Sequence, residues 1–193
     1  MVADPIAVAL RVARALEACG IRYLVGGSLA SSISGEPRST LDVDMVVELA
    51  DADIEGLVRE LGDEFHADIE SLQRAVREKS SANLIHFGTS TKVDLFVVGG
   101  SPLDASQMDR RQKVTVATDP ERQLFVYTPE DILLQKLRWY KMSQEISDRQ
   151  WRDILGILVV QGEALDEAYA RDGAETLGVS DLLESALKEA HRE

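Results

Sequence analysis

Two patterns of hydrophobic and polar residues occur along the chain, one typical of strands and one typical of helices. Both occur before about residue 127, and only the helical pattern occurs after it. Before that point, short runs rich in β-branched and aromatic residues predict strands, and segments with apolar residues three or four apart predict helices. The predicted strands are residues 21–25, 41–49, 82–88, 91–99, 113–118 and 124–128. The predicted helices between them are residues 5–19, 51–60 and 69–79.

After residue 127 only helical patterns remain. Thr128 and Ser147 are residue types that cap helix N-termini, and each precedes a segment with an apolar stripe. Two shorter amphipathic helices follow, the last beginning near Ser180. These patterns predict an α+β fold. A mixed β-sheet flanked by helices occupies residues 1–127, and a small C-terminal helical region, residues 128–193, packs on this core.

Composition excludes several classes of protein. A single cysteine, Cys19, excludes an internal disulfide and is typical of a reducing compartment. No apolar run approaches the ~18 residues that a membrane span needs, and the first residues lack the basic start of a signal peptide. We therefore expect a cytoplasmic protein that does not contact a membrane.

The net charge of −13 argues against a surface built for nonspecific nucleic-acid binding. The charge is uneven, however, because residues 136–152 contain five basic and two acidic residues. This segment carries +3 and the remainder of the chain carries −16. The sequence thus predicts a local basic face on an acidic protein.

Two aspartates interrupt an otherwise apolar strand. Asp42 and Asp44 are two residues apart, so their side chains lie on one face of the strand, ~6.6 Å apart along it. Like charges at this spacing repel unless a cation lies between them, and Mg²⁺ prefers such oxygen ligands. Asp94 stands alone in the apolar run "KVDLFVV" and supplies a third carboxylate if the two strands are neighbours. Each of these aspartates taken singly also fits a solvent-facing side chain.

A glycine-rich turn precedes the aspartates. Gly26, Gly27 and Ser28 follow the strand 21–25, and a helix predicted to begin at Ser28 would present free N–H groups to an anion such as phosphate. Arg38 and Thr40 come just before Asp42 and are candidates to reach the same anion. The alternatives are that Gly26, Gly27 and Ser28 form an ordinary turn and that Arg38 is a solvated loop residue.

Taken together, these residues resemble the DNA polymerase beta-like nucleotidyltransferase superfamily. The segments "GGSLA", "RST" and "DVD" are similar to motifs of its AbiEii-type branch, which includes toxins of toxin–antitoxin systems. "PEDILLQKLRW" and "RQWRDILGIL" resemble later helices of that branch, and the resemblance covers roughly residues 21–160. Two departures stand out. No basic residue follows the Gly-Ser turn directly, and Gly156 stands where relatives often have an aspartate.

The resemblance implies a nucleotidyltransferase-like sheet and transfer of a nucleoside monophosphate from an NTP, with release of pyrophosphate. It implies two Mg²⁺ ions, or Mn²⁺ in their place. Catalytic roles fall to Asp42, Asp44, Asp94 and Lys136, of which the three aspartates bind metal. Nucleotide binding falls to Gly26, Gly27, Ser28, Arg38, Thr40, Lys136, Arg149 and Asp153. An ordinary helix-surface position is the alternative for Lys136.

The acceptor is open at this point. Toxins of the family act on RNA, so the resemblance makes tRNA a candidate, and the basic face of residues 136–152 suits its backbone. A protein hydroxyl or an aminoglycoside-type small molecule suits the acidic remainder better. The resemblance also allows an antitoxin protein as partner. A non-catalytic module that senses nucleotides or binds a partner belongs to a different class and stays open too.

Overall fold

A computed structural model describes residues 4–37 and 40–190, and these residues form two compact units. The first unit contains Met1–Gly26 and Ser39–Val126, and the second contains Gly27–Arg38 and Tyr127–Glu193. The α-helices of the described residues are α1 (Pro5–Ala18), α2 (Gly27–Ser34), α3 (Ile54–Leu61), α4 (Ile69–Glu78), α5 (Pro102–Arg110), α6 (Pro129–Met142), α7 (Asp148–Gln161), α8 (Glu167–Leu177) and α9 (Ser180–Ala190). None of them is both long and apolar enough to cross a membrane.

The first unit contains a mixed sheet. Its strands are β1 (Tyr23–Val25), β2 (Val43–Val47), β3 (Phe65–Ala67), β4 (Ser81–His86), β5 (Lys92–Val97), β6 (Gln112–Thr118) and β7 (Glu121–Val126). Their order across the sheet is β3-β4-β5-β2-β1-β7-β6. The pairs β2–β5 and β1–β7 are parallel, and the other neighbours are antiparallel.

The two central strands β2 and β5 have one buried and one half-exposed face. Val43, Met45 and Val47 are buried, while the residues between them are only partly covered. β5 alternates in the same way, with its own apolar residues in register with those of β2. α1 packs against β1, β2 and β7, and α4 packs against β4 and β5. Burial of alternate apolar side chains therefore fixes which face of these strands carries the polar residues.

The second unit is helical. Thr128 and Ser147 cap α6 and α7, as their residue types predict, because each side-chain oxygen accepts a hydrogen bond from a backbone N–H three residues on. α6 packs against α7 and α8, α7 packs against α9, and α2 packs against both α6 and α7. α2 and α7 approach closely at Gly35, where a Cβ atom would lie 2.9 Å from the backbone nitrogen of Ile157. Only glycine fits at this crossing.

The predicted fold class is confirmed, since a mixed sheet with flanking helices precedes a helical C-terminal part. The second unit consists of the predicted C-terminal region together with residues 27–38, and the domain boundary itself stays a prediction. The sequence patterns missed β3 and α5. β3 is only three residues long and has no clear alternation. α5 has a detectable signal, because Ser101 and Asp104 form a reciprocal capping box around Pro102.

Candidate functional site

The pairing of β2 with β5 brings two of the predicted aspartates side by side. Asp44 and Asp94 are register partners on these parallel strands, so their side chains leave the same face of the sheet on strands ~4.8 Å apart. Their chain neighbours Val43 and Val93 are also register partners and are fully buried on the opposite face. Packing of the apolar face therefore holds the two carboxylates next to each other.

Asp42 lies one residue before β2, which begins at Val43, and it is exposed. If the extended backbone of β2 continues by one residue, its spacing of two from Asp44 places it on the same side of the chain. Thr40 is hydrogen-bonded here through its hydroxyl, which donates to the carbonyl oxygen of Asp42 at 3.2 Å. If the register of β2 and β5 continues by one residue, position 42 lies beside Lys92. We refer to Asp42, Asp44 and Asp94 as the acidic cluster.

Lys92 supplies a positive charge at this cluster. Its Nζ lies 2.9 Å from Oδ2 of Asp94, and the two side chains are 42% and 15% exposed. The hydrogen bond to Asp94 raises the pKa of the Lys92 ammonium, partial burial opposes this rise, and the negative charges of Asp94, Asp42 and Asp44 add to it. All three carboxylates of the cluster thus act on one cation.

The glycine turn at Gly26 and Gly27 lies next to β2 at Asp44. The backbone N–H of Gly26, at the end of β1, donates to the carbonyl oxygen of Asp44 at 2.9 Å. The chain then begins α2 at Gly27, whose φ of +56° is in the left-handed region that favours glycine. The hydroxyls of Ser31 and Ser32 donate to the carbonyl oxygen of Ser28. The predicted helix at this turn is therefore present.

The acidic cluster has the donor chemistry of a magnesium site. Across residues 4–37 and 40–190, no three His, Cys, Asp or Glu side chains are already drawn together closely enough to hold a metal ion. The cluster offers carboxylate oxygens, the hard ligands that Mg²⁺ and Mn²⁺ prefer, and all of its members already interact with a cation, the Lys92 ammonium. In ligand type, though not in their present spacing, these carboxylates fit a divalent ion.

A second group of predicted residues meets inside the second unit. Nζ of Lys136 on α6 lies 2.7 Å from Oδ2 of Asp153 on α7, and these side chains are only 8% and 7% exposed. The hydroxyl of Ser31 on α2 is 3.5 Å from the same carboxylate oxygen. Lys136 is buried, so the alternative of an ordinary helix-surface position is wrong. A buried ammonium needs such a partner, because burying a lone charge is costly.

The remaining predicted residues are placed differently. Arg149 is exposed on α7, one helical turn before Asp153. Arg38 lies outside the described residues. Gly156, which departs from the family pattern, lies where α7 passes the chain after α2, and a Cβ atom there would be 3.3 Å from the backbone nitrogen of Glu36. The close approach of the chain explains why a small residue stands at this position.

Sequence reasoning missed Lys92, and it identified Asp131 only as part of a helix cap at "TPED". Lys92 was overlooked, although its spacing of two from Asp94 is the same signal that joined Asp42 to Asp44. Asp131 is fully buried and accepts hydrogen bonds from the hydroxyls of Tyr169 at 2.7 Å and Thr128 at 3.0 Å. The hydrogen bonds of Asp131 join α6 to α8, so this residue has a structural role.

Comparison with known proteins identifies the fold. No protein-family model and no curated protein sequence matches the chain. Among solved structures, the antibiotic-resistance factor ANT(2'')-Ia is similar with a TM-score of 0.54 and 12% identity, over 98% of this chain and 98% of that chain. At this identity the likeness shows the fold alone.

Two further structures have lower TM-scores. An antigenic nucleotidyltransferase-like protein from Paracoccidioides brasiliensis is 20% identical over 94% of this chain and 91% of that chain, with a TM-score of 0.48. A CCA-adding enzyme in complex with ATP is 15% identical over 90% of this chain, with a TM-score of 0.40. The chain spans about half of the CCA-adding enzyme, 48%. The fold that the sequence motifs led us to expect is thus the fold that the comparison with ANT(2'')-Ia shows.

Proposed function

We propose that the protein is a nucleotidyltransferase that uses Mg²⁺, or Mn²⁺, to transfer a nucleoside monophosphate from an NTP to an acceptor hydroxyl. The observation that carries this proposal is the register pairing of Asp44 with Asp94 on neighbouring strands, with Asp42 two residues before Asp44. Asp42, Asp44 and Asp94 would hold the divalent ions, of which the family resemblance implies two. The mixed sheet that the family resemblance implies is present, and its fold is shared with ANT(2'')-Ia.

The proposed reaction asks the protein mainly to position its substrates and balance charge. The acceptor oxygen forms a bond to the α-phosphorus, the bond from that phosphorus to the β-phosphate bridging oxygen breaks, and pyrophosphate leaves. We assign to Asp94 the acceptance of the hydroxyl proton, because a carboxylate is the available base on this face of the sheet. A bound divalent ion would neutralise the charge that develops on the phosphate oxygens.

Nucleotide-binding roles for Gly26, Gly27, Ser28, Arg38 and Thr40 remain part of the proposal. Lys136, Arg149 and Asp153 belong to it as well. The buried Lys136–Asp153 pair gives this idea a specific form, since the carboxylate fixes the position of the ammonium within the second unit. A triphosphate oxygen that approached Lys136 would meet a cation already oriented by Asp153.

For the acceptor we propose an RNA such as tRNA, in keeping with the AbiEii-type motifs. The second unit exposes four cations on α6 and α7, namely Arg138, Lys141, Arg149 and Arg152. Exposed cations of this kind suit contacts to a phosphate backbone. A toxin of this branch would also have an antitoxin protein as partner, and this belongs to the same proposal.

A small-molecule acceptor is the second candidate. The protein carries a net charge of −13, which favours cationic compounds of the aminoglycoside type, and its fold is shared with an antibiotic-resistance factor over nearly the whole chain. A non-catalytic module that binds nucleotide or a partner is the third candidate. The three candidates differ in what becomes labelled by a radioactive NTP.

Transfer from α-labelled NTPs to total tRNA, to aminoglycosides and to the protein itself therefore tests the proposal. We expect transfer that needs Mg²⁺ or Mn²⁺ and that falls at least a hundredfold in Asp44→Asn. Asp172→Asn, which removes an exposed carboxylate from α8, is the matched control and should retain activity. Melting curves with NTP, with and without Mg²⁺, report binding independently of transfer.

The outcomes separate the candidates. Labelled tRNA supports the RNA acceptor, and a labelled aminoglycoside supports the small-molecule enzyme. Stabilisation by NTP without any transfer supports the non-catalytic module. Neither stabilisation nor transfer, or transfer that persists in Asp44→Asn, contradicts the proposed function.

A further inference from the structure

Lys92 is the charged residue of the candidate site to which neither the sequence motifs nor the fold comparison gives a role. It is the first residue of β5, and Asp94 follows on the same face two residues later. Its ammonium bonds to Asp94 at 2.9 Å, on the oxygen Oδ2. A lysine at this position places a positive charge among the side chains that would bind a metal cation.

From this geometry we infer that Lys92 is a resident counter-cation of the acidic cluster, and that a divalent ion must displace its ammonium from Asp94 in order to bind. The inference rests on the proposed function, since it concerns the same metal site. It assigns Lys92 a positioning role: its ammonium holds the Asp94 carboxylate in place before metal arrives.

The charges of the group support this role. The three carboxylates and the Lys92 ammonium sum to −2, whereas the three carboxylates without it sum to −3. Like charges opposite one another in a sheet are destabilising, so a local cation offsets that repulsion.

The exposure of Lys92 makes displacement feasible. Its side chain is 42% exposed, so the ammonium can move into water without the penalty that a buried charge pays on losing its partner. Asp94 is 15% exposed, so part of its carboxylate is accessible to an ion arriving from solvent. A divalent ion carries twice the charge of the ammonium and attracts the three carboxylates more strongly.

Binding of Mn²⁺ to the nucleotide-free protein, followed by the loss of the free-ion signal in electron paramagnetic resonance, tests the inference. We expect Lys92→Met to bind Mn²⁺ roughly tenfold more tightly than wild type and Lys92→Arg to bind about as wild type does. Lys188→Met removes an exposed lysine from α9 and should leave the affinity unchanged.

The background Asp94→Asn separates displacement from a general field effect. If Lys92 competes for the Asp94 carboxylate, Lys92→Met has little effect on Mn²⁺ affinity once Asp94 is neutral. If Lys92 acts only through the overall charge, the gain persists in Asp94→Asn and is screened away in 0.5 M salt. The second result overturns the inference, as does an unchanged or weaker affinity in Lys92→Met.

These results are distinct from failure of the proposed function. Mn²⁺ binding that is lost in Asp44→Asn but unaffected by Lys92→Met overturns the role of Lys92 and leaves the metal site standing. Binding by Lys92→Met but not by wild type supports the inference in its strongest form. Absence of binding in every variant overturns both the inference and the metal dependence of the proposed function.

Discussion

Both units contain a lysine–aspartate pair among their described residues, and the two pairs differ in burial and in the carboxylates near the lysine. In the first unit, Lys92 meets Asp94 at a half-exposed face and also experiences the charges of Asp42 and Asp44. In the second unit, Lys136 meets Asp153 at 2.7 Å, and both side chains are less than a tenth exposed. Similar chemistry therefore serves different purposes in the two places.

The difference in burial determines how easily each pair can be broken. A buried pair is hard to break because either partner left alone is an uncompensated charge in a poorly solvated place. An exposed pair costs little to break because water and salt replace the partner. Lys136 is thus suited to stay fixed within its unit, and Lys92 is suited to give way to another cation.

Breaking the buried pair should have the largest effect on stability. We expect Lys136→Met to lower the free energy of unfolding by about 3–5 kcal/mol, because Asp153 is then left buried without its cation. Urea unfolding followed by tryptophan fluorescence measures it, because the two tryptophans of the chain, Trp139 and Trp151, both belong to the second unit.

The double variant Lys136→Met/Asp153→Leu provides the control for this measurement. Replacing both charges by apolar side chains removes the stranded carboxylate, so most of the lost stability should return. If the single variant unfolds like wild type, or the double variant is no more stable than the single one, the pair does not act as a buried ion pair.

A smaller loss of stability should follow from adding an atom to the close contact between α2 and α7. Gly35→Ala places a Cβ atom 2.9 Å from the backbone nitrogen of Ile157, and backbone atoms on α7 cannot move aside as a flexible side chain does. We expect a loss of about 1–3 kcal/mol, measured by the same fluorescence-detected unfolding. Gly100→Ala is the matched control, because a Cβ atom there meets no atom within 4 Å and stability should not fall. Equal stabilities of the two variants would contradict the close approach of α2 and α7.

Local patterns predicted the parts of the candidate site that depend on neighbouring residues. The spacing of Asp42 and Asp44 gave the face they share, and Gly26-Gly27 gave the turn into α2. The convergence of Asp94 with them was conditional on β2 and β5 being neighbours, and only the three-dimensional structure supplies that pairing. Strand adjacency depends on long-range packing, which a single sequence does not encode in any local pattern.

The ion pair between Lys136 and Asp153 also could not be predicted from the sequence. Lys136 and Asp153 lie on different helices, and their contact depends on how α6 and α7 pack. The composition of residues 136–152 suggested a basic face, yet burial removes Lys136 from it and leaves the cations at Arg138, Lys141, Arg149 and Arg152 exposed. Net charge along the chain thus overestimates surface charge where an ion pair is buried.

The smallest effect should come from the exposed pair, and its salt dependence should separate it from the buried one. Lys92→Met without metal should cost less than ~1 kcal/mol, because the Lys92 side chain is partly exposed, and 0.5 M NaCl should reduce that cost by screening the cluster. The cost of Lys136→Met should stay nearly constant over the same salt range, since buried charges are poorly screened. Thermal unfolding followed by far-ultraviolet circular dichroism, with EDTA present, measures both variants at low and high salt. A large, salt-independent loss in Lys92→Met would mean that the exposed lysine is as firmly built into its unit as the buried one, and displacement by a metal ion would then carry a cost that the geometry does not suggest.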